Sequence, residues 1–213
     1  MLRAKPTQKG PPMKAALFGT VTLAAAAGLG LFVWQSQQSA EAPCGNTAIA
    51  GSTIGGPFEL VSETGQTVTD RDVITGPTLV YFGYTFCPDV CPLDSARNAL
   101  AVDILAEQGM DLGAVFISVD PNRDTVEVVG DYTDNFHPDM IGLTGTPEQV
   151  RAAAQAYKVF YRAHDDDPEY YLVDHSTQTY LMMPETGLAT FFKREDSAET
   201  IAEIAACFIG QTS

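Results

Sequence analysis

Positive charge is scarce in this chain. Lysine and arginine number 12 against 27 aspartates and glutamates. Four of the cations, Arg3, Lys5, Lys9 and Lys14, precede the first acid, so the region beyond residue 34 holds eight cations against 27 anions, a charge of −19. That field opposes binding to nucleic acid or to an anionic membrane surface, and an acidic solvated surface with no specific partner is enough to account for it. Histidine and cysteine are also few, at three and four. An iron–sulfur cluster needs more cysteines, and structural zinc wants a fourth protein ligand that no residue obviously supplies. No proline stands between Pro168 and Pro184. There is no internal repeat, and no low-complexity stretch outside one small-residue linker.

What the chain does have at its start is a charge-free apolar run over residues 15–34, behind the basic segment 1–14. A helix of that length rises roughly 30 Å, enough to cross a hydrocarbon core. Basic residues before it and an acidic region after it put the N-terminus in the cytoplasm and the remainder outside. Ala40-Glu41-Ala42 resembles a leader cleavage pattern, but the apolar run is longer than a leader's usual core of ~7–15 residues, so a retained single-pass anchor is the reading taken. Residues 35–50 then form a tether, and residues 51–213 the folded domain.

The domain reads as α/β. Residues 58–61 and 66–69 suggest a hairpin. Residues 78–84 and 113–119 are continuous apolar strands, fitting a sheet covered on both faces. A helix is expected over 93–108; another should be capped by Asp124, with Glu127 in the capping-box position. Residues 140–143 make a short strand, and Thr146-Pro147 opens a helix through Tyr157. Residues 177–183 and 188–192 form a strand pair, and Asp196 or Ser197 caps a last helix through about Phe208. A β-α-β core followed by β-β-α is a thioredoxin-like layout, here with an added N-terminal hairpin.

Two cysteines lie at the first strand-to-helix junction, in Cys87-Pro88-Asp89-Val90-Cys91-Pro92. Each precedes a proline, which biases it away from helical angles. Pro92 suits the first helical position, making Cys91 the expected N-cap. Orphan N–H groups and the helix dipole there favour a thiolate, which serves both disulfide exchange and metal binding. Of the histidines, His137 reads as a capping or surface residue, and His164 as part of a solvated acidic loop with Asp165, Asp166 and Asp167. His175 stands on the connection into the strand beginning near Thr177. In a thioredoxin-like layout this connection faces the cysteine loop, where an ordinary thiol-disulfide oxidoreductase presents a cis-proline; here an imidazole takes that place. Two thiolates and one imidazole suit copper: three ligands for trigonal Cu(I), a further water or backbone oxygen for Cu(II). Cys44 and Cys207 could staple the ends of the domain, for up to about 4–5 kcal/mol, but sequence leaves their pairing open.

Four segments resemble the Sco/SenC family of copper proteins: YFGYTFCPDVCP at 81–92, FISVDPNRDT at 116–125, IGLTGTP at 141–147 and VDHST at 173–177. The similarity spans about residues 54–208. The resemblance implies a thioredoxin-like domain on the inner membrane, facing the periplasm or an equivalent exported compartment. It implies copper held by Cys87, Cys91 and His175 and assembly of the dinuclear copper (CuA) centre of cytochrome c oxidase subunit II, with another copper chaperone as the donor. Cys87 and Cys91 would also be the redox pair of a client-restricted thiol-disulfide reductase, which would not need His175. A redox or copper sensor is a third reading, without any signalling motif behind it. A peroxidase would recruit Thr85 and Arg97, and the second thiol and His175 argue against it.

Overall fold

The strand of residues 78–83, TLVYFG, is buried at all six positions, as a strand must be when both faces of its sheet are covered. The computed structural model that contains it describes residue 44, residues 53–164 and residues 170–211. The basic segment, the expected anchor at 15–34 and all of the tether except Cys44 lie outside the described residues. Among those described, no helix is long and apolar enough to cross a membrane.

In chain order the elements are β1 (Glu59–Ser62), β2 (Thr67–Thr69), α1 (Asp70–Val73), β3 (Thr78–Gly83), α2 (Val90–Glu107), β4 (Gly113–Ser118), α3 (Val126–Asp134), β5 (Met140–Thr144), α4 (Pro147–Ala156), β6 (Tyr161–Ala163), β7 (Val173–His175), β8 (Thr179–Met183), β9 (Gly187–Phe192) and α5 (Ala198–Gln211). Seven strands form one sheet in the order β2-β1-β5-β4-β3-β8-β9. β3, β4 and β5 are parallel neighbours, and β8 pairs antiparallel with β3. The hairpin β1–β2 extends the sheet past β5, with Val61 opposite Thr144. This is the expected thioredoxin-type arrangement. Alternation along β3 divides the core: Tyr81 bonds to Asp94 of α2, while Phe82 packs on Tyr157 and Tyr180.

Local chemistry sets the ends of the helices. Thr146 and Gln149 form a capping box with Pro147 in the first turn of α4. Ser197, not Asp196, accepts from the Thr200 N–H at the start of α5, and this helix continues to Gln211, past the expected end. Two caps differ from expectation. Thr125 caps α3 by accepting from Val128 N, because the Asp124 carboxylate is taken by Thr85 and Ser118. α2 begins at Val90 with Asp89 as N-cap, so Cys91 is its second residue and Pro92 its third. A proline there costs no bond, since N–H groups of the first turn have no intrahelical acceptor.

The three-residue β7 is a separate element rather than the start of β8, pairing with β6 in a two-stranded ribbon outside the main sheet. Finally, Cys44 and Cys207 form a disulfide, with Cα atoms 5.5 Å apart across a sequence separation of 163.

Candidate metal centre

Parallel strands β3 and β4 end side by side, at Gly83 and Ser118, and β8 begins beside them because Thr179 pairs with Tyr81. The cysteine loop leaving β3 and the segment entering β8 therefore meet at the carboxyl edge of the parallel strands, where open α/β sheets bind ligands.

The structure brings Cys87, Cys91 and His175 together, with their donor atoms all within 4.8 Å of one another. Both cysteines are free thiols. Cys91 Sγ lies 3.2 Å from His175 Nε2. The opposite ring nitrogen, Nδ1, lies 2.8 Å from the Ser176 carbonyl. A carbonyl only accepts, so Nδ1 carries the proton and Nε2 presents its lone pair to the sulfurs. Tyr81 and Tyr84 stand near-perpendicular to the imidazole at centroid distances of 6.2 and 5.8 Å, and the Tyr84 phenol hydrogen-bonds to the Val173 backbone.

Asp89, although it is the N-cap residue, makes no capping bond with its side chain. The sulfur of Cys87 does this instead, accepting from the Cys91 N–H at 3.3 Å. The two thiols are electrostatically one unit. A hydrogen bond from Cys91, with help from the backbone of Asp89 and Cys91, pulls the Cys87 thiol far below its usual range. Donating that bond, together with burial, pushes the Cys91 thiol up. Both shifts favour Cys87 as the thiolate of the pair. Cys87 is also the reachable sulfur, at 9% exposure against 0% for Cys91. Iodoacetamide is therefore expected to modify Cys87 first, at a rate nearly flat from about pH 5 to 8, where an ordinary thiol of pKa ~8.5 gains about tenfold per pH unit. Peptide mass spectrometry over that range checks this; an ordinary tenfold climb would contradict it.

The loop is held from below by a buried carboxylate. Asp124 accepts from Thr85 N at 3.0 Å, Thr85 Oγ1 at 2.6 Å and Ser118 Oγ at 2.5 Å, and Thr144 Oγ1 donates to its carbonyl. The ends of β3, β4 and β5 are thereby tied to one residue. Burial raises the Asp124 pKa against the pull of those bonds. Thr85 is committed to this knot. Arg97 is committed elsewhere, to the carbonyls of Lys193 and Arg194 and to Thr179 Oγ1. Neither is arranged to activate a peroxidatic sulfur. His137 accepts from Asp139 N, a capping use, and His164 pairs with Asp174.

Gly83 shows how tight the site is. A Cβ at this position would sit 2.9 Å from the rings of Phe116 and Tyr81 and 3.0 Å from Cys91 Sγ. Gly83→Ala is expected to destabilise the domain by about 1–3 kcal/mol through overpacking and to weaken metal binding by displacing that sulfur. Urea denaturation and a metal titration of the variant test the two effects separately.

Asp124 is not legible as a clamp in the sequence, since an acid six residues past the strand β4 reads first as a cap. Sequence reading also missed Asp94, which accepts from the Tyr81 hydroxyl at 3.0 Å. The available signal was its spacing, three residues past Cys91 on one helix face.

The family model described as SCO1/SenC matches residues 46–210. Protein SenC of Rhodobacter capsulatus is 58% identical over 163 residues, 76% of this chain and 74% of that protein. Protein SCO1 homolog 1, mitochondrial, of Arabidopsis thaliana is 42% identical over 153 residues, 71% of this chain; the chain spans only 46% of that relative's length. The crystal structure of Arabidopsis thaliana ScoI with copper bound matches with a TM-score of 0.70 and 40% identity, over 75% of this chain and 99% of that one.

Proposed function

The chain belongs to the SCO1/SenC family, and from that premise we propose that it is a copper chaperone, binding one copper ion through Cys87, Cys91 and His175 and helping to assemble the CuA centre of cytochrome c oxidase subunit II. The observation that carries this reading is the donor set itself. Two free sulfurs and a ring nitrogen whose tautomer is already set converge within 4.8 Å, and a relative of the same fold is a copper-bound protein. Thiolates and imidazole suit copper. Three donors complete a trigonal Cu(I) site and leave room for an incoming ligand from the recipient. Cu(II) would add a water or a backbone oxygen.

Because Cys91 is fully buried, delivery requires contact: recipient ligands bind the ion at the Cys87 side first, and His175 and Cys91 release it afterwards. The anchor at 15–34 and the tether at 35–50 are proposed to hold the domain on the exported side of the inner membrane, where another copper chaperone would load it. An exported compartment also suits the Cys44–Cys207 disulfide.

One observation favours a second reading, a client-restricted thiol-disulfide reductase: two free thiols at a helix start, with the more exposed Cys87 accepting from the Cys91 N–H. Cys87 would attack an oxidised cysteine pair in subunit II, and Cys91 would resolve the mixed disulfide. The client gains two electrons and the chain ends as a Cys87–Cys91 disulfide.

The two readings leave different products. Copper-loaded chain is mixed with the metal-free, reduced soluble domain of subunit II, then separated and assayed for copper and thiols. Delivery predicts copper on subunit II and two free thiols on Cys87 and Cys91. Retention of the copper on the chain would contradict delivery. The metal-free chain mixed with the oxidised domain tests the reductase reading through formation of the Cys87–Cys91 disulfide.

A further inference from the structure

His175 belongs to the ribbon β6–β7, which shares no strand pairing with the seven-stranded sheet carrying the cysteines. Bonds between Phe160 and Ser176 close the ribbon on itself. They do not hold it over the cysteines. Tyr84 contributes to that attachment through Val173 and the His175 ring, and the larger share of it gathers at Arg123, in the loop between β4 and α3. Its Nε donates to Asp120 Oδ2 at 2.6 Å and its Nη1 to the Tyr171 carbonyl at 2.9 Å. The Tyr171 hydroxyl donates to the other Asp120 oxygen at 2.5 Å. The guanidinium lies 3.5 Å from the centroid of the Tyr171 ring, 4.8 Å from that of Phe86 and 5.8 Å from that of Tyr84.

These rings come from both halves of the site. Phe86 precedes Cys87 in the cysteine loop. Tyr84 stands perpendicular to the His175 ring at a centroid distance of 5.8 Å. Tyr171 leads into β7 two residues before Val173. A planar cation can donate in its plane while facing aromatic rings, and an ammonium cannot do both in this way.

We propose that Arg123 is a positioning residue for the metal site, pinning the ribbon that carries His175 over the cysteine loop. This rests on the three-donor reading above and deepens it. Without the pin, the ribbon keeps the Tyr171–Asp120 bond and the contacts of Tyr84 but loses the guanidinium that joins it to the cysteine loop, and His175 is held less firmly over the sulfurs. Outer residues that orient a metal-ligating histidine commonly affect affinity by about 10–100-fold.

The test is a double-mutant cycle on the full chain with Arg123→Met and His175→Ala. Cu(I) affinity is read by competition with a chromophoric chelator. Arg123→Met alone is expected to weaken Cu(I) binding by about tenfold or more and to have little further effect once His175 is alanine. Equal losses in both backgrounds, or no loss, would overturn the pinning role. Arg123→Lys is expected to rescue only in part. If Arg123→Met does not fold, Tyr171→Leu removes the other side of the contact and runs through the same cycle.

Copper is not the only judge. In the metal-free protein, the 15N shifts of the His175 ring should move or broaden in Arg123→Met. If His175→Ala leaves copper affinity intact, the three-donor reading fails, and those ring shifts still decide the pinning. Unchanged shifts overturn it.

Discussion

Replacing His175 by alanine is expected to weaken Cu(I) binding by at least ~100-fold, the upper end of what outer-sphere changes at such sites produce, while leaving Cys87 and Cys91 able to form a disulfide. The imidazole reaches Cys91 Sγ through Nε2 at 3.2 Å and is held by Nδ1 on the Ser176 carbonyl. Its removal leaves two sulfurs on one short loop, one reachable and one buried. Two thiolates alone can bind Cu(I), so the expected result is weaker binding with altered geometry, not abolition. Chelator competition on wild type and variant measures the loss, and thiol counting after mild oxidation confirms that the pair still closes. Unchanged affinity would remove His175 from the site.

The second large effect falls on stability. The Cys44–Cys207 bond closes a loop spanning 163 residues. Constraint of the unfolded chain by a loop of that length contributes about 5 kcal/mol in the chain-entropy model. Total domain stabilities are commonly only ~5–15 kcal/mol, so the double variant Cys44→Ser/Cys207→Ser is expected to lose a large share. Urea denaturation of this variant against wild type, both with Cys87 and Cys91 reduced, gives the difference directly. Copper affinity below the melting transition should be unchanged, because α5 joins the site through neither a donor nor a hinge. A stability change below ~1 kcal/mol would mean that the unfolded chain is already compact enough for the crosslink to add little.

Much of this was legible in the residues. Continuous apolar runs at 78–84 and 113–119 became the parallel neighbours β3 and β4, which end at Gly83 and Ser118, because a strand buried on both faces shows no alternation. Thr146-Pro147 marked a helix start correctly because capping and a proline near N1 act within one turn. Convergence of His175 with the cysteines followed from topology, since an antiparallel β8 must begin where β3 ends.

Other features depended on distant partners. Asp124 has the local signature of a cap, and Thr85, 39 residues away, joins Ser118 in diverting it into the core. Cys91 entered the helix because Pro92 loses no bond in a first turn, a point that proline preferences alone leave undetermined. The ribbon β6–β7 has three-residue strands, too short for any period to register. Arg123 carries no motif of its own. Its role depends on aromatic rings from two segments that meet only in the folded chain.

Copper K-edge X-ray absorption on the Cu(I)-loaded chain tests the centre most directly. The account predicts two sulfur neighbours and one nitrogen, with the nitrogen absent in His175→Ala. A shell of sulfur alone in the wild type, or a spectrum that the substitution leaves unaltered, would contradict it.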